Sequence, residues 1–443
     1  MKKLFAFTSI VVLLISCKHK SDTWQQTFND ADLYCKTVKK LNDVVMENNF
    51  PPMIGSRNYA YANIAAYEAM AAGNSDFQSL AGQIHGLTAL PKLDTAGVNF
   101  HLASLLAFVK VGNAVTFPEG SMMGEYDRLK HLADSTGMPE EMINKSAAFG
   151  DSVAAHIMRW SKKDNYAQTR SATKYTVIDT PGRWIPTPPA YMQALEPHWS
   201  EIRTLAIDSA RQFMPPPPMK FDIKDKNSDY YKQVMAVKNA IDSLTSEQKH
   251  IAEFWDDLNT RLNVSGHVQF LSKKFSPPGH WMNIVGIASV KAKADFATTV
   301  SAYTLTSIAI FDGFIQCWSA KFEHNTARPE TVINKYIDPN WRPFLQTPPF
   351  PEYTCGHSTI SSAAAEALTS VYGDNFAYTD TSELEFGVEN RSFTSFRQAA
   401  MENNMARFYG GIHFHPSCIV STECGKQVGD FIVGKLVLRK KKR

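Results

Sequence analysis

Apolar residues recur every three to four positions along most of this chain, the spacing that puts them on one face of an α-helix. In the first third, the pattern predicts helices over 30–45, 57–72, 98–115, 125–135 and 140–162. Turn-forming residues separate these stretches, at Pro51-Pro52, Gly73-Asn74, Pro118 and Gly137. Strand patterns are sparse, so we predict an N-terminal helical bundle over residues 17–165.

Between residues 166 and 244 the helical periodicity lapses and proline becomes frequent. Residues 181–189 and 215–218 are Pro-rich, which favours stiff, extended backbone. Trp184 and Trp199 lie in the same region and offer large apolar anchors. We therefore predict an ordered connection packed across the helices rather than a flexible linker.

Helical periodicity returns after Thr245-Ser246-Glu247-Gln248, whose T-x-x-Q pattern is typical of a capping box. Further helices are predicted over 281–296, 299–323, 359–372, 395–409 and 425–438. The fold class is therefore all-α, with two packed helical bundles joined by Pro-rich connecting straps. The second bundle is predicted over 245–443, including a basic tail.

The N-terminus has the order of an export signal. Lys2 and Lys3 precede an apolar run over 4–15, and Ser16 stands directly before Cys17. This order resembles the lipobox of bacterial lipoproteins, which implies a signal peptide over 1–16 and acylation of Cys17 as a lipid anchor. A plain secretory signal or a membrane anchor are the alternatives. We expect the mature protein in the cell envelope, as a periplasmic or outer-membrane lipoprotein.

Composition excludes several classes of partner. The net charge is +3 with both signs interspersed, so nothing indicates nucleic-acid binding. No stretch after the signal reaches 18 consecutive apolar residues, so no transmembrane helix is expected in the mature chain. Of six cysteines, Cys17 is one, and the odd remainder argues against a disulfide framework. A homo-oligomer stays possible.

Candidate chemistry concentrates at Tyr353-Thr354-Cys355-Gly356-His357-Ser358. A Pro-rich approach over 347–351 precedes this segment, and an Ala-rich run over 361–370 follows it. That order predicts a stiff loop entering a helix N-terminus, where free N–H groups and the helix dipole favour an anion. We therefore predict an oxyanion site, with His357 at its mouth.

Two further segments supply cations and a second histidine. Lys321 and Arg328 are seven residues apart, so on one continuous helix they would lie on the same face. Arg407 and His413 are six apart, and Gly410-Gly411 between them breaks the helix so that both can turn inward.

Together, K-x6-R-P, x-x-G-H and R-x5-H resemble the three signature segments of the type 2 phosphatidic acid phosphatase and vanadium-dependent haloperoxidase superfamily. Residues 278–281, Pro-Gly-His-Trp, and the Pro-rich stretches resemble its bacterial haloperoxidase branch. The resemblance implies a vanadate cofactor, bound by Lys321, Arg328, Cys355, Gly356 and Arg407, with His413 as the vanadium ligand. It also implies that His357 is the acid–base group and that Trp318 and Phe350 shape a halide pocket.

Two positions depart from the family pattern. Cys355 stands where the family usually has serine, and a thiol is a weaker hydrogen-bond donor than a hydroxyl. Ser417 stands four residues after His413, where many members have aspartate. We therefore expect another group, such as a backbone carbonyl, to orient His413.

The resemblance implies a haloperoxidase that oxidises halide, with iodide or bromide favoured, using hydrogen peroxide to give hypohalous acid. An acid phosphatase acting through a phosphohistidine at His413 is one alternative, and an inactive oxyanion-binding lipoprotein is another. Two local alternatives remain from residue types alone. Cys355 could be a nucleophile, and a zinc site could form from His413, His415, Cys418 and Cys424.

Overall fold

The structure, a computed structural model, describes residues 23–258, 261–265, 267–271 and 273–440. Cys17, the predicted signal peptide and the last three residues lie outside the described residues. In the N-terminal part the helices are α1 (Trp24–Asn29), α2 (Ala31–Glu47), α3 (Pro52–Ala72), α4 (Phe100–Val115), α5 (Met123–Ser135) and α6 (Glu140–Ser161). The five helices predicted there are confirmed, with ends shifted by a few residues.

Helix α3 forms the centre of this part, and nearly all of its side chains are buried. Its alanines let α4 approach closely, and the Ser104 hydroxyl of α4 donates to the Ala66 carbonyl of α3 at 2.8 Å. Helix α6 packs on the other side of α4, where a Cβ on Gly150 would lie 2.7 Å from the Ala103 carbonyl oxygen. Small residues therefore set the spacing of the N-terminal helices.

The Pro-rich connection is tied to the second half of the chain. It contains α7 (Tyr166–Thr169), a 3₁₀ turn (Trp199–Glu201) and α8 (Asp229–Asp242). Trp184 and Trp199 are fully buried. The Leu195 N–H donates to the Pro349 carbonyl at 3.0 Å, which fixes the connection beside the segment predicted to bind the anion.

The sequence pattern missed α8, although it carries a helix signal. Ser228 caps its N-terminus, and the buried residues Tyr230, Val234 and Val237 follow at helical spacing. The prediction that helical structure is absent up to residue 244 is therefore wrong over α8.

The C-terminal part contains most of the remaining helices and two short hairpins. The helices are α9 (Ser246–Phe254), α10 (Pro277–Lys291), α11 (Phe296–His324), α12 (Pro329–Tyr336), α13 (Gly356–Tyr372), α14 (Phe396–Tyr409) and α15 (His415–Lys435). The antiparallel hairpins pair β1 (Leu262–Ser265) with β2 (Val268–Leu271), and β3 (Tyr378–Asp380) with β4 (Arg391–Phe393). The capping box of Thr245 with Gln248 is confirmed.

Two predicted boundaries in this part are wrong. The helix predicted over 281–296 ends at Lys291, because Lys293 has a positive φ and Asp295 caps the next helix. The last helix begins at His415 rather than at residue 425, because Pro416 occupies its first turn, where a missing N–H costs no hydrogen bond.

Helix α11 is the central element of the molecule. It packs against α13 and α15 in the C-terminal part and against α3 in the N-terminal part, so buried side chains form one continuous apolar cluster from Phe28 to Leu436. The fold is all-α with two packed helical bundles. Among the described residues, no helix is long and apolar enough to span a membrane.

Candidate active site

Lys321 and Arg328 reach the site from two different elements, the last turn of α11 and the residue before α12. Helix α11 ends at His324, because Asn325 adopts the left-handed conformation with φ 49°. Arg328 is in extended conformation and precedes α12, which opens with Pro329. The prediction that the two cations share one helix face is therefore wrong. The break at Asn325, rather than helical periodicity, positions Arg328.

Three consecutive carbonyl groups hold these two cations. Arg328 Nε donates to the Phe350 carbonyl at 2.9 Å. Lys321 Nζ donates to the carbonyls of Pro351 at 2.7 Å and Glu352 at 3.0 Å. Because all three residues belong to the rigid approach to α13, the two cations are fixed relative to the N-terminus of that helix.

The N-terminus of α13 forms a second wall. Cys355 is its N-cap and makes no side-chain capping hydrogen bond, and its own N–H donates to Ser421 Oγ at 2.8 Å. Gly356 and His357 follow in the first turn and line a cavity. First-turn N–H groups have no partner within the helix, and together with the helix dipole they favour an anion. The predicted helix entry is confirmed here.

Arg407 and His413 form the opposite wall. Helix α14 ends at Tyr409, and Gly411 has a φ of 74°, a conformation that favours glycine. This turn brings Arg407 and His413 into the same cavity, as the two glycines predicted. Arg407 Nη1 also donates to the Trp255 carbonyl at 2.7 Å, which fixes the guanidinium.

The hydrogen bonds of His413 define its tautomer. Arg328 Nη1 lies 3.0 Å from His413 Nε2, and a guanidinium can only donate, so Nε2 is the acceptor. His413 Nδ1 then carries the proton and donates to Glu352 Oε1 at 2.8 Å. The expectation that a group other than residue 417 orients His413 is confirmed, and that group is the Glu352 carboxylate rather than a backbone carbonyl. The unprotonated Nε2 is the nitrogen available as a ligand.

The cavity between these walls combines aromatic rings with cationic groups. Its lining includes Asp257, Phe314, Trp318, Phe350, Gly356, His357, Arg407 and His413. The rings of Trp318 and Phe350 lie 5.0 Å apart between centroids, and Lys321 Nζ lies 5.1 Å from the Phe350 centroid. Such a wall presents apolar surface beside positive charge, which suits a large, weakly hydrated anion such as a heavier halide.

Burial lowers the pKa of three basic groups around this cavity. Lys321, Arg328 and Arg407 are buried. Loss of hydration, aided by the charge of Arg328, lowers the pKa of Lys321 to about 8. Burial likewise lowers the pKa of Arg328 to about 10. The pKa of His357 is well below its usual range because of burial and the nearby Arg407 charge. A bound anion would offset each of these penalties.

The donors left without partners fit an oxyanion. Four buried polar atoms in the segments around the cavity have no hydrogen-bond partner within the described part of the chain: Arg328 Nη2, Arg407 Nε, His357 Nε2 and Ser358 Oγ. Buried groups of this kind are rare in folded proteins and require a ligand or water. Three cations, a helix N-terminus and the available Nε2 of His413 match the donor set that a trianionic tetrahedral group with one nitrogen ligand requires.

Cys355 is not one of the residues that line the cavity. The residue is fully buried. Burial acts to raise the pKa of its thiol, but a hydrogen bond from Cys418 and the neighbouring His413 outweigh it and hold that pKa well below its usual range. The thiol therefore interacts with the His413 imidazole.

The zinc alternative is wrong for the described residues. The only cluster in the described part whose side chains converge closely enough for a metal is formed by Asp257, His280 and Glu383. Its charges are already paired. Lys274 Nζ lies 2.8 Å from Glu383, and His280 lies 2.9 Å from both Asp257 and Asp380.

Asp257 and Glu352 are two charged residues at the site that the sequence pattern did not single out. Asp257 lines the cavity, has a φ of 42°, and accepts from the buried His280. The sequence singles out His280 only within the Pro-Gly-His-Trp resemblance, which gives no information about its partners. Glu352 follows Pro351 directly, and its position in a Pro-rich loop beside Tyr353 was the one available signal.

Comparison with known proteins agrees with this geometry. The family model described as the VCPO second helical-bundle domain matches residues 301–438. The solved structure of the first bacterial vanadium-dependent iodoperoxidase is 42% identical, covers 93% of this chain and 98% of its own, and superposes with a TM-score of 0.87.

More distant structures share the fold. The holo form of a bacterial vanadium-dependent chloroperoxidase is 16% identical over 87% of this chain and 92% of its own, with a TM-score of 0.65. Its apo form is 17% identical over 87% and 95%, with the same TM-score of 0.65. No curated protein matches this sequence.

Proposed function

The chain belongs to the vanadium-dependent haloperoxidase family, with vanadate as its cofactor, and we propose that iodide and bromide are the halides it oxidises. Hydrogen peroxide is the oxidant and hypohalous acid the product. The observation that carries this halide range is the 42% identity to a bacterial iodoperoxidase over 93% of the chain.

The residues that would hold vanadate are those with unused donors around the cavity. Lys321, Arg328 and Arg407 would neutralise the oxyanion, the Gly356 N–H would donate to it, and His413 Nε2 would ligate the metal. When bound, vanadate supplies a Lewis-acidic centre that makes peroxide electrophilic toward halide.

The remaining steps belong to side chains of this protein. His357 is neutral before the anion binds, because its pKa lies well below the usual range. Its unpartnered Nε2 is placed to accept a proton from hydrogen peroxide and to return it to the departing oxygen. Trp318 and Phe350 would hold the halide against this site, with Lys321 above the Phe350 ring.

A substitution at Cys355 tests which halides the protein oxidises. Iodide is the most easily oxidised halide, so loss of the hydroxyl donor that the family's serine provides would favour it over bromide. We expect Cys355→Ser to raise the bromide-to-iodide ratio of turnover by about tenfold, the effect of strengthening one hydrogen bond to a charged group. The measurement is peroxide-dependent oxidation of iodide, bromide and chloride, with and without vanadate. Cys35→Ser, on α2, is the matched control.

The same assay separates the alternatives. Phosphate should suppress halide oxidation competitively, because it fits the same donors. Hydrolysis of a generic phosphate ester without halide oxidation would identify a phosphatase instead. Vanadate binding without either turnover would identify an inactive oxyanion-binding protein. An unchanged halide ratio in Cys355→Ser would refute the role given to the thiol.

We also propose that the mature protein is a lipoprotein of the cell envelope, anchored through Cys17. The support is the order of basic, apolar and small residues before that cysteine. The wild-type protein should partition into detergent and carry acyl chains by mass spectrometry, and Cys17→Ser should lose both. A Cys17→Ser protein that still partitions into the detergent phase would contradict the proposal that Cys17 carries the anchor.

A further inference from the structure

We propose that Glu352 is the positioning residue for His413, and that it takes the place of the aspartate that many family members carry at the position of Ser417. This inference rests on the proposed role of His413 as the vanadium ligand. It assigns to the Glu352 carboxylate the tasks of fixing the tautomer and the ring plane of that ligand.

The Glu352 carboxylate is buried and directed entirely at the His413 segment. Its Oε1 accepts from His413 Nδ1 at 2.8 Å and from the Phe414 N–H at 3.2 Å. Its Oε2 accepts from Ser417 Oγ at 3.0 Å. Phe414 and Ser417 lie at the N-terminus of α15, where a negative charge is favourable. The carboxylate is therefore held at both oxygens, as an orienting group must be.

This arrangement determines what His413 presents to the cavity. Donation from Nδ1 to Glu352 leaves Nε2 unprotonated, and Nε2 faces Arg328 Nη1 at 3.0 Å. Without an acceptor at Nδ1, the ring could carry its proton on Nε2, which would block ligation. A carboxylate partner of this kind also raises the basicity of a ligating histidine.

The backbone of Glu352 is anchored independently of its side chain. Its N–H donates to the Thr326 carbonyl at 3.0 Å, and its carbonyl accepts from Lys321 Nζ at 3.0 Å. A side-chain substitution at Glu352 therefore leaves the Lys321 contact in place. Changes in vanadate binding can then be assigned to the carboxylate.

Ser417 explains why the carboxylate can come from a different element. Its hydroxyl occupies the space in which the family's aspartate would stand, and it donates to Glu352 rather than accepting from His413. If the task is only to place a carboxylate at His413 Nδ1, an aspartate at residue 417 should restore it once the Glu352 side chain is removed.

The experiment measures vanadate affinity by equilibrium dialysis, with vanadium quantified in each compartment, and then iodide turnover. We expect Glu352→Ala to weaken vanadate binding by about 10- to 100-fold, the usual loss for an outer partner of a metal ligand. Glu352→Gln keeps an acceptor at Nδ1 and should lose much less. The double variant Glu352→Ala with Ser417→Asp should recover most of the affinity.

Glu330 provides the matched control, because it is also a buried glutamate and accepts from Thr347 Oγ1 at 2.5 Å. Glu330→Ala should leave vanadate affinity unchanged, and thermal unfolding reports whether each variant is folded. Wild-type affinity in Glu352→Ala would overturn the proposal. A folded double variant with no recovery, or an equal loss in Glu330→Ala, would overturn it too. Dialysis needs no turnover, so the test stands even if wild-type protein oxidises no iodide, which would refute only the halide proposal.

Discussion

Halide oxidation by the vanadate-loaded protein is expected to fall to the rate of free vanadate when His413 is replaced by alanine. The cations around the cavity hold an oxyanion through charge, but His413 Nε2 is the nitrogen available to ligate the metal itself. Arg328 Nη1 contacts Nε2 at 3.0 Å, and Glu352 Oε1 accepts from Nδ1 at 2.8 Å, so the ring is held from both sides. Peroxide assays and vanadium retention after dialysis measure the effect.

The controls for His413 come from the same segment. His415→Ala removes an imidazole two residues away, whose ring packs on Phe408 at 5.3 Å between centroids and lies outside the cavity lining. It should retain wild-type turnover. His413→Ala removes one of the three donors to the Glu352 carboxylate, so His413→Gln, whose amide can still donate, is the companion variant. Full activity in either His413 variant would refute the assigned role.

The local parts of this site could be predicted from sequence because local rules place them. The Pro-rich approach and the Ala-rich run predicted that Gly356 and His357 open a helix, and α13 begins there. Gly410-Gly411 predicted that Arg407 and His413 could turn to one side, and the positive φ of Gly411 does this. In both cases a few adjacent residues determine the backbone.

The path between Lys321 and Arg328 could not be predicted from helical periodicity. Seven residues indicate a shared helix face only if the helix continues, and Asn325 ends it in a left-handed conformation. Asparagine tolerates that conformation better than most residues, and Pro329 favours the start of a new helix. Those two residues were the signal for a break, but the spacing alone favoured a continuous helix.

The residues that orient the site could not be predicted from the sequence for a different reason. Glu352 and His413 are 61 positions apart, and Asp257 and His280 are 23 apart. Contacts at such separations depend on how helices pack, and no local pattern encodes them. The same holds for the carbonyls of Phe350, Pro351 and Glu352, which any residue could supply. The sequence therefore predicts which side chains bind the anion better than it predicts what holds them.

Replacing His357 by alanine is expected to lower kcat for iodide by about 100- to 10,000-fold, the contribution of a positioned acid–base group, while vanadate binding is largely kept. Burial and the Arg407 charge hold the pKa of His357 well below its usual range, so the imidazole is neutral in the anion-free site. It therefore adds no charge to the attraction of vanadate by the three buried cations. The task proposed for it is proton transfer at Nε2, which has no partner among the described residues.

His324→Ala is the matched control, because burial also lowers the pKa of His324 while its ring packs on Tyr353 outside the cavity. Steady-state iodide turnover gives kcat, and equilibrium dialysis gives vanadate affinity. Unchanged kcat in His357→Ala would exclude an acid–base role. A loss confined to vanadate affinity would make His357 a binding residue. Acid–base chemistry requires a fall in kcat with vanadate affinity retained in His357→Ala, and neither change in His324→Ala. The reason is that a neutral imidazole lowers the activation barrier by proton transfer and adds no charge to the site.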